Sequence, residues 1–452
     1  MTNRTITLSS GPTARPRRMA EHLYIVFDSE RPRGDVARFS LESVTRVEIG
    51  RAASHDSTRE ATQLRVGRND GAMSGKHAEL RLERGSWTVT DLGSKNGIWV
   101  DGRQVTSAPL APGNILQLGH TFATLGPPVD ITADDVADLV VCDDPATVGT
   151  TTLLPSLRSA LADLDRVALS TTPVVLTGPT GTGKERMAAR VHASSNRSGS
   201  LVSLNCGAVP AGLIESELFG ARKGAFSGAG EDRAGLVETA HNGTLFLDEI
   251  GDLPLDAQAA MLRTLELGEV RRVGDTRTRR LDVRIVCATH RDLEAMAREG
   301  TFREDLLARL SGHVLALPTL ATRMVDLGLL VTALLRELAP DRELTVSTVA
   351  TRALLAYTWP RTVRELRRCL ERAVSRATTR IEPTHLPDWA TEDTDDTPLD
   401  GADAARRDEL IRLLVEHDGN ISAVARAIGK VRPQVQRWLA RYRLDATAYK
   451  KG

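Results

Sequence analysis

A glycine-rich octapeptide between an apolar strand and a helix constrains this chain more than any other feature. GPTGTGKE (178–185) follows the apolar run VVL and precedes the helical pattern ERMAARVHAS. Backbone N–H groups in such a loop can bind phosphates, and its lysine can reach the β and γ phosphates. Glu185 stands where the strict P-loop signature has a Mg²⁺-binding Ser or Thr, so the motif alone also fits a glycine-rich turn. The candidate ATP-binding residues are Gly178, Pro179, Thr180, Gly181, Thr182, Gly183, Lys184 and Glu185.

A second motif favours the nucleotide-binding interpretation. TLFLDEI (244–250) is an apolar strand that ends in two carboxylates. Asp248 can hold Mg²⁺ through water, and Glu249 can orient the water that attacks a phosphoryl group. Together with Lys184, these residues predict an ATPase that uses ATP and Mg²⁺.

The residue pattern changes several times along the 452 residues, which are too many for one hydrophobic core. Short runs between Gly, Asn and Asp turns predict a β-sandwich, strands alternating with helices predict an α/β core, and two close helices near the end predict a helix-turn-helix. The predicted fold is therefore multidomain. The expected boundaries are 1–127 for the sandwich (core about 23–125), 128–136 for a linker, 137–319 for the α/β ATPase subdomain, 320–389 for a helical lid, 390–404 for an acidic linker and 405–452 for the helix-turn-helix.

Composition restricts the location and the partners. The 59 Lys+Arg residues balance 59 Asp+Glu residues, so any nucleic-acid surface must be local. The four cysteines are far apart and form no CxxC pair, which argues against a disulfide framework or a zinc site. Since no run of eighteen apolar residues occurs, we expect a cytoplasmic protein without a membrane partner.

Seven strings resemble, in order, the AAA+ domain of sigma-54-dependent transcriptional activators. The resemblance covers about 137–389, and the P-loop of that family itself usually ends in GKE. It implies an ATPase that assembles into a homo-oligomeric ring, a hexamer, and acts on sigma-54 RNA polymerase. The strings are GPTGTGKE, ESELFG, GAFSGA, GTLFLDEIGDLP, ATHRDL, FREDLLARL and WPRTVREL.

The same resemblance implies roles around the nucleotide. Asn205 would couple the catalytic Glu249 to the remodelling loops. Thr289 and His290 occupy the position that reads the γ-phosphate, although a local backbone role for His290 stays open. Arg364 occupies the second sensor position, on the lid.

Arg303 and Arg309 resemble the arginine fingers that reach the ATP of a neighbouring subunit. Their alternative role is in exposed ion pairs with Glu304 and Asp305. The lid departs from the family pattern in three places. Arg361 and Thr362 replace Gly and Asn, and Ala321 replaces an arginine.

GAFSGA resembles the GAFTGA loop with which the family engages sigma-54. Alone, these residues also fit a flexible turn with one exposed aromatic side chain. The resemblance implies that hydrolysis moves the loop, with Phe226 as anchor and Ser227 keeping the hydroxyl of the usual threonine. The implied sigma-54 contacts are Gly224, Ala225, Phe226, Ser227, Gly228 and Ala229.

EIGR, SGKH and DLGSKNG resemble the forkhead-associated (FHA) domain over about 23–125, a sandwich that binds phosphothreonine peptides. The implied phosphate ligands are Arg51 and Ser74, with Lys76 adding charge and Asn96 holding the peptide backbone. The alternative arginine, Arg68, leaves only five residues before Ser74, so we favour Arg51. An interaction fold that ignores phosphate is the other alternative.

The last fifty residues resemble the Fis-type helix-turn-helix of these activators. Eleven Lys/Arg and five Asp/Glu between positions 406 and 451 give this segment a net charge of +6. Val435 and Leu439 should face its small core. The residues expected at double-stranded DNA upstream of promoters are Arg432, Gln434, Gln436 and Arg437.

These resemblances predict an activator that remodels sigma-54 polymerase and is controlled by phosphothreonine recognition, which implies a Ser/Thr kinase pathway. Two alternatives stay open. One is a DNA-binding AAA+ regulator or scaffold that does not remodel sigma-54, which GAFSGA disfavours. The other is a phosphopeptide adaptor with an inactive ATPase, which Lys184, Asp248 and Glu249 disfavour.

Overall fold

The computed structural model describes residues 18–131, 138–141, 151–225, 231–390, 409–410, 412–414, 416–430 and 432–441. Residues 1–391 and 392–452 belong to two separate compact units. Among the described residues, no helix is both long and apolar enough to cross a membrane.

The N-terminal part is a sandwich of two sheets. One sheet has the strand order β13-β2-β1-β12-β11-β8-β9, and the other has the order β10-β7-β6-β3-β5-β4. Alternation explains strands such as β5, where the buried Leu64 and Val66 flank the exposed Arg65. The strands are β1 Arg18–Asp28, β2 Val36–Ser40, β3 Arg46–Arg51, β4 Asp56–Glu60, β5 Gln63–Arg68, β6 Ala78–Glu83, β7 Ser86–Asp91, β8 Ile98–Val100, β9 Arg103–Val105, β10 Ser107–Leu110, β11 Ile115–Leu118, β12 Thr121–Ile131 and β13 Asp138–Val141.

The sandwich extends past the boundary expected from the sequence. Strand β12 continues to Ile131, beyond Pro127, and stays paired with β1. Strand β13 pairs with β2 through Val141↔Val36, although 137 was the expected start of the ATPase subdomain. A four-residue edge strand such as β13 has too short a pattern to be recognised from the sequence.

The ATPase subdomain has a five-stranded parallel sheet in the order β15-β18-β21-β14-β22. Parallel strands need crossover helices, which explains the alternating pattern. Two short ribbons, β16–β17 and β19–β20, lie outside this sheet. The elements are α1 Pro155–Ala168, β14 Val174–Thr177, α2 Lys184–Ser194, β15 Leu201–Asn205, α3 Ala211–Phe219, β16 Gly220–Ala221, β17 Arg233–Ala234, α4 Leu236–Thr239, β18 Thr244–Asp248, α5 Leu255–Leu267, β19 Glu269–Arg271, β20 Thr278–Arg280, β21 Arg284–Thr289, α6 Leu293–Arg298, α7 Glu304–Leu310 and β22 His313–Ala316.

The lid is mainly helical and has its own apolar core around the fully buried Trp359. Tyr357 and Trp389 stack with their ring centroids 4.0 Å apart, and both rings lie edge-on to Trp359. Its elements are α8 Leu327–Leu338, β23 Thr345–Val346, α9 Thr348–Ala356, α10 Thr362–Arg376 and β24 Arg380–Ile381.

The lid core continues into the sandwich. Tyr24, Val26 and Phe27 of β1 are buried in the same apolar cluster as Val331 and Leu335 of α8. Strand β1 is buried on both faces, because its alternate residues Leu23 and Ile25 belong to the sandwich core. The sandwich is therefore fastened to the lid by apolar packing.

The second unit contains α11 Ile421–Ala427 and α12 Arg432–Arg441. The side chain of Asn420 accepts hydrogen bonds from the N–H groups of Ser422 and Ala423 and so caps α11. Gly429, with φ 65°, follows α11 and permits the turn. Val435 and Leu439 are buried against Leu414 and Val424, as the sequence predicts.

Candidate functional site

The glycine-rich loop joins β14 to α2. Gly178, Gly181 and Gly183 have φ values of 135°, 87° and 103°, which favour glycine over other residues. Lys184 is buried, and its Nζ donates to the carbonyl of Gly178 at 2.9 Å. The loop therefore holds its lysine at the start of a helix, where backbone N–H groups and the helix dipole favour an anion.

The two carboxylates lie at the end of β18, facing the same pocket as Lys184. Burial raises the pKa of the Asp248 carboxyl, and the charge of Glu249 adds to this effect. Glu249 has left-handed backbone angles, φ 51° and ψ 51°, a conformation that costs about 1–3 kcal/mol and is concentrated at functional sites. Two crowded carboxylates beside a lysine suit a bound cation and a phosphate chain.

Neighbouring strand ends hold these carboxylates. Asn205 Nδ2 donates to Asp248 Oδ2 at 3.2 Å, whereas the family resemblance implied a link to Glu249. Glu249 is contacted instead by His290, whose Nδ1 lies 2.7 Å from Oε2. Thr289 is buried, and its hydroxyl accepts a hydrogen bond from the N–H of Arg291. His290 thus lies beside the predicted catalytic carboxylate, a contact that sequence reasoning missed.

The lid forms the opposite wall of the pocket. Arg364 of α10 and Leu330, Ala333 and Leu334 of α8 line it together with Glu185. Departure from the family pattern at Thr362 has a structural consequence here. Its hydroxyl donates to the carbonyl of Thr180 at 3.1 Å and so ties the lid to the glycine-rich loop.

The two candidate arginine fingers lie on the surface. Arg303 forms two hydrogen bonds with Asp305, at 3.0 and 2.6 Å. Arg309, at the end of α7, is exposed. Arg303 therefore makes one of the ion pairs considered as its alternative role. An exposed pair of this kind contributes little stability and can be exchanged for another partner.

The second candidate site lies at a loop end of the sandwich. The N–H of Arg51 donates to the carbonyl of Ser74, and the hydroxyl of Ser74 accepts from the N–H of Lys95. Buried His77 joins these loops, because its Nδ1 accepts from the N–H of Ser74 and its Nε2 donates to the carbonyl of Gly97. The structure thus brings Arg51 and Ser74 together.

The other residues at this end differ in their surroundings. Arg68 is buried and donates to the carbonyl of Asp35, whereas Arg51 faces solvent. Asn96 is exposed, and its Nδ2 donates to the carbonyl of Ala72. Lys76 is exposed, with its Nζ 3.8 Å from Glu48. The solvent-facing arginine beside Ser74 is Arg51.

Comparison with known proteins identifies the domains that contain the two candidate sites. Residues 151–316 match the sigma-54 interaction domain, residues 321–402 the AAA+ ATPase lid domain and residues 47–119 the FHA domain. The transcriptional regulatory protein GlrR of Escherichia coli (strain K12) is 40% identical over 305 residues, which cover 66% of this chain and 68% of GlrR. This chain belongs to the sigma-54 activator family.

Two further proteins show how much of this chain is shared with its relatives. The regulatory protein AtoC of E. coli K12 is 44% identical over 224 residues, and the match spans about half (49%) of each chain. The crystal structure of NtrX from Brucella abortus in complex with ATP has a TM-score of 0.50 and 31% identity, covering 66% of this chain and 69% of NtrX. The predictions of an FHA domain and of an AAA+ core with a lid are confirmed.

In this chain a two-stranded ribbon supports the predicted sigma-54 loop. Strand β16 pairs with β17, and the N–H of Lys223 donates to Asp232 across the base of the loop. Gly224 has φ 82°, and the N–H of Ala225 donates to the carbonyl of Arg222. The other predicted contacts, Phe226, Ser227, Gly228 and Ala229, lie outside the described residues.

The C-terminal unit contains the four residues that the sequence predicts at DNA. Arg432 is exposed at the start of α12, and Gln434 is half-buried. The side chains of Gln436 and Arg437 lie outside the described part. The DNA-binding role of this unit stays a prediction.

Proposed function

We propose that this activator hydrolyses ATP as a ring, a hexamer, and uses the energy to remodel sigma-54 RNA polymerase. The observation that carries the proposal is one pocket lined by Lys184, Asp248 and Glu249 in the same subdomain as the β16–β17 ribbon. The ribbon carries the GAFSGA segment (224–229). The chain thus combines phosphate chemistry with a loop for a protein partner.

The residues of the pocket divide the work of hydrolysis. Lys184 and the N–H groups of the loop bind the phosphates, and Glu249 orients the attacking water. Asp248 fits a magnesium-dependent site, since it lines the pocket beside Lys184 and Glu249 and its carboxylate can hold the ion through water. Bound Mg²⁺ would supply positive charge to the phosphate oxygens. His290 holds Glu249 in place through the 2.7 Å contact.

A hydrogen bond from Asn205 to Asp248 can transmit changes at the nucleotide pocket to the GAFSGA loop. Asn205 contacts Asp248 and ends β15, after which the chain continues through α3 into β16. Movement of Asp248 or its ligand therefore acts on the segment that leads into the GAFSGA loop. Arg303 and Arg309, exposed on the surface, would complete the ATP site of the next subunit.

The N-terminal domain would regulate the ATPase, and the C-terminal domain would hold it at its promoter. Arg51 and Ser74 would bind phosphothreonine on a partner from a Ser/Thr kinase pathway, with Asn96 and Lys76 at the rim. The C-terminal helices, in a segment of net charge +6, would hold double-stranded DNA upstream of the promoter. With these activities the protein would work in the cytoplasm.

Separating ATP hydrolysis from promoter opening tests the proposal. Phe226→Ala should retain ATPase activity and lose open-complex formation on a sigma-54 promoter in a purified transcription system. Ser227→Thr, which restores the residue usual in the family, is the matched control and should retain both activities. Normal promoter opening by Phe226→Ala would sink the assignment of the loop.

A further inference from the structure

Helix α8 has two faces with different partners. Leu330, Ala333 and Leu334 line the nucleotide pocket. Gly328 faces strand β1 so closely that a Cβ atom there would lie 2.0 Å from the carbonyl oxygen of Val26. One helix therefore lines the nucleotide site on one face and supports the sandwich on the other. The face of α8 that contacts the sandwich, which includes Gly328 and Thr332, is called the seat.

Polar contacts fix this seat. Thr332, buried on α8, donates its hydroxyl to the carbonyl of Pro32 at 2.6 Å. Arg33 Nη2 donates to the carbonyls of Leu335 and Ala339 at 3.1 and 2.7 Å. A cation at the C-terminal end of a helix satisfies free carbonyls and favours the helix dipole. The sandwich thus holds both the side and the end of α8.

A chain of hydrogen bonds leads from the candidate phosphopeptide loop toward this seat. Asn96 donates to the carbonyl of Ala72, and the N–H of Ala72 donates to Asp70 at 2.9 Å. His120 donates to the same carboxylate through its backbone N–H at 2.8 Å and through its Nδ1 at 3.2 Å. The buried carboxylate of Asp70 therefore connects the loop that contains Ser74 to the β11–β12 turn.

The chain then crosses into the lid. The carbonyl of His120 accepts from the N–H of Ser29, and the carbonyl of Ser29 accepts from the N–H of Val346 in β23. Glu30 lies 3.7 Å from His120 Nε2 and 3.6 Å from Arg380 of β24. Contacts of this kind can carry coupling between distant sites, and a measured coupling is needed to establish it.

We propose that the FHA sandwich is a clamp on the lid, so that a ligand at Arg51 and Ser74 and the nucleotide at Lys184 alter each other's affinity. The phosphopeptide part of this proposal rests on the function proposed above for the sandwich. Because binding free energies are linked, the two effects are reciprocal. The clamp holds the α8 wall of the pocket in a conformation that binds nucleotide.

The clamp is tested by titrating a fluorescent ADP analogue into the full-length protein. Arg33→Ala and Thr332→Val each remove hydrogen bonds of the seat and should weaken ADP binding about twofold to tenfold. Arg84→Ala, in the exposed β6–β7 turn, is the matched control and should bind like the wild type. Circular dichroism confirms that each variant is folded. Wild-type affinity in both folded seat variants would overturn the clamp.

The coupling is tested by adding a degenerate phosphothreonine peptide library, with the dephosphorylated library as control. The ADP affinity should change at least about fivefold in the wild type. The change should vanish in Arg51→Ala and shrink in His120→Ala. A library that binds but changes ADP affinity less than twofold would overturn the coupling and leave phosphopeptide binding intact. A library that does not bind would refute phosphopeptide recognition and the coupling, while the seat variants still decide the clamp.

Discussion

Replacing Thr362 with asparagine should stabilise the lid by about 1 kcal/mol. Thr362 is fully buried and has φ 60°, in the left-handed region. That conformation costs an L-residue about 1–2 kcal/mol, whereas asparagine adopts it more readily. The asparagine amide can also donate to the carbonyl of Thr180, which the threonine hydroxyl now reaches at 3.1 Å. Most of the strain is removed while a donor is retained.

Scanning calorimetry of the full-length protein measures the effect. For a domain of about 150–250 residues, which is the size of the ATPase subdomain together with its lid, about 1 kcal/mol shifts the unfolding midpoint by about 2–4 °C, so the midpoint of that domain in Thr362→Asn should rise by that amount. Thr362→Val is the matched control, because it keeps the strained, branched shape and loses the hydrogen bond, at a cost of about 1 kcal/mol. A lower midpoint for Thr362→Asn would show that backbone strain does not limit stability at this position, and a wild-type midpoint for Thr362→Val would show that the hydrogen bond to Thr180 contributes nothing.

Two further predictions concern the carboxylates. Glu249→Gln should bind ATP with wild-type affinity and lose about 10²–10⁴ of its hydrolysis rate, because water loses the group that orients it; a rate within tenfold of wild type would contradict this role. Burial alone would raise the pKa of Asp70, but hydrogen bonds from His120 and Ala72 outweigh it and lower that pKa to about 2, while the same bond to Asp70 raises the pKa of His120. The contribution of His120 to the free energy of unfolding is complete below its ordinary pKa near 6.5 and disappears as pH rises through the raised value. The contribution of Asp70 to the same free energy disappears only as pH falls from about 4 toward 2. Between pH 6 and 9 the wild-type unfolding midpoint should therefore fall more than that of His120→Gln, and parallel pH profiles would exclude the pair as the cause.

The order of the FHA sandwich, the AAA+ core and its lid, and most of the nucleotide pocket, could be predicted from the sequence. Loops that bind phosphate need glycines, a lysine and carboxylates at fixed distances along the chain, so Lys184, Asp248 and Glu249 were identifiable from local patterns. The structure brings all three to one pocket. The FHA and AAA+ assignments were also predictable, because both depend on short motifs that are local in the sequence.

Contacts between distant segments were not predictable in this way. The hydrogen bond from His290 to Glu249 and the tie from Thr362 to Thr180 join residues 41 and 182 positions apart. Side-chain type alone does not specify such partners. The sandwich boundary was misplaced because a short edge strand, β13, resembles a linker.

One overlooked signal could have revealed the clamp. LYIVF in β1 is continuously apolar, although a sandwich strand with one solvated face alternates. All five residues are buried, three toward the lid and two in the sandwich core. A continuous run in a strand of an otherwise alternating domain indicates a second apolar partner.

Trapping a complex with sigma-54 tests whether this protein remodels the sigma-54 polymerase. Purified protein is mixed with sigma-54, ADP and aluminium fluoride, which mimics the transition state of hydrolysis, and is resolved on a native gel. If the protein remodels sigma-54, the wild type should form a stable complex and Lys184→Ala should form none. Measurable ATPase activity without any trapped complex would contradict remodelling of sigma-54 and favour a DNA-binding scaffold.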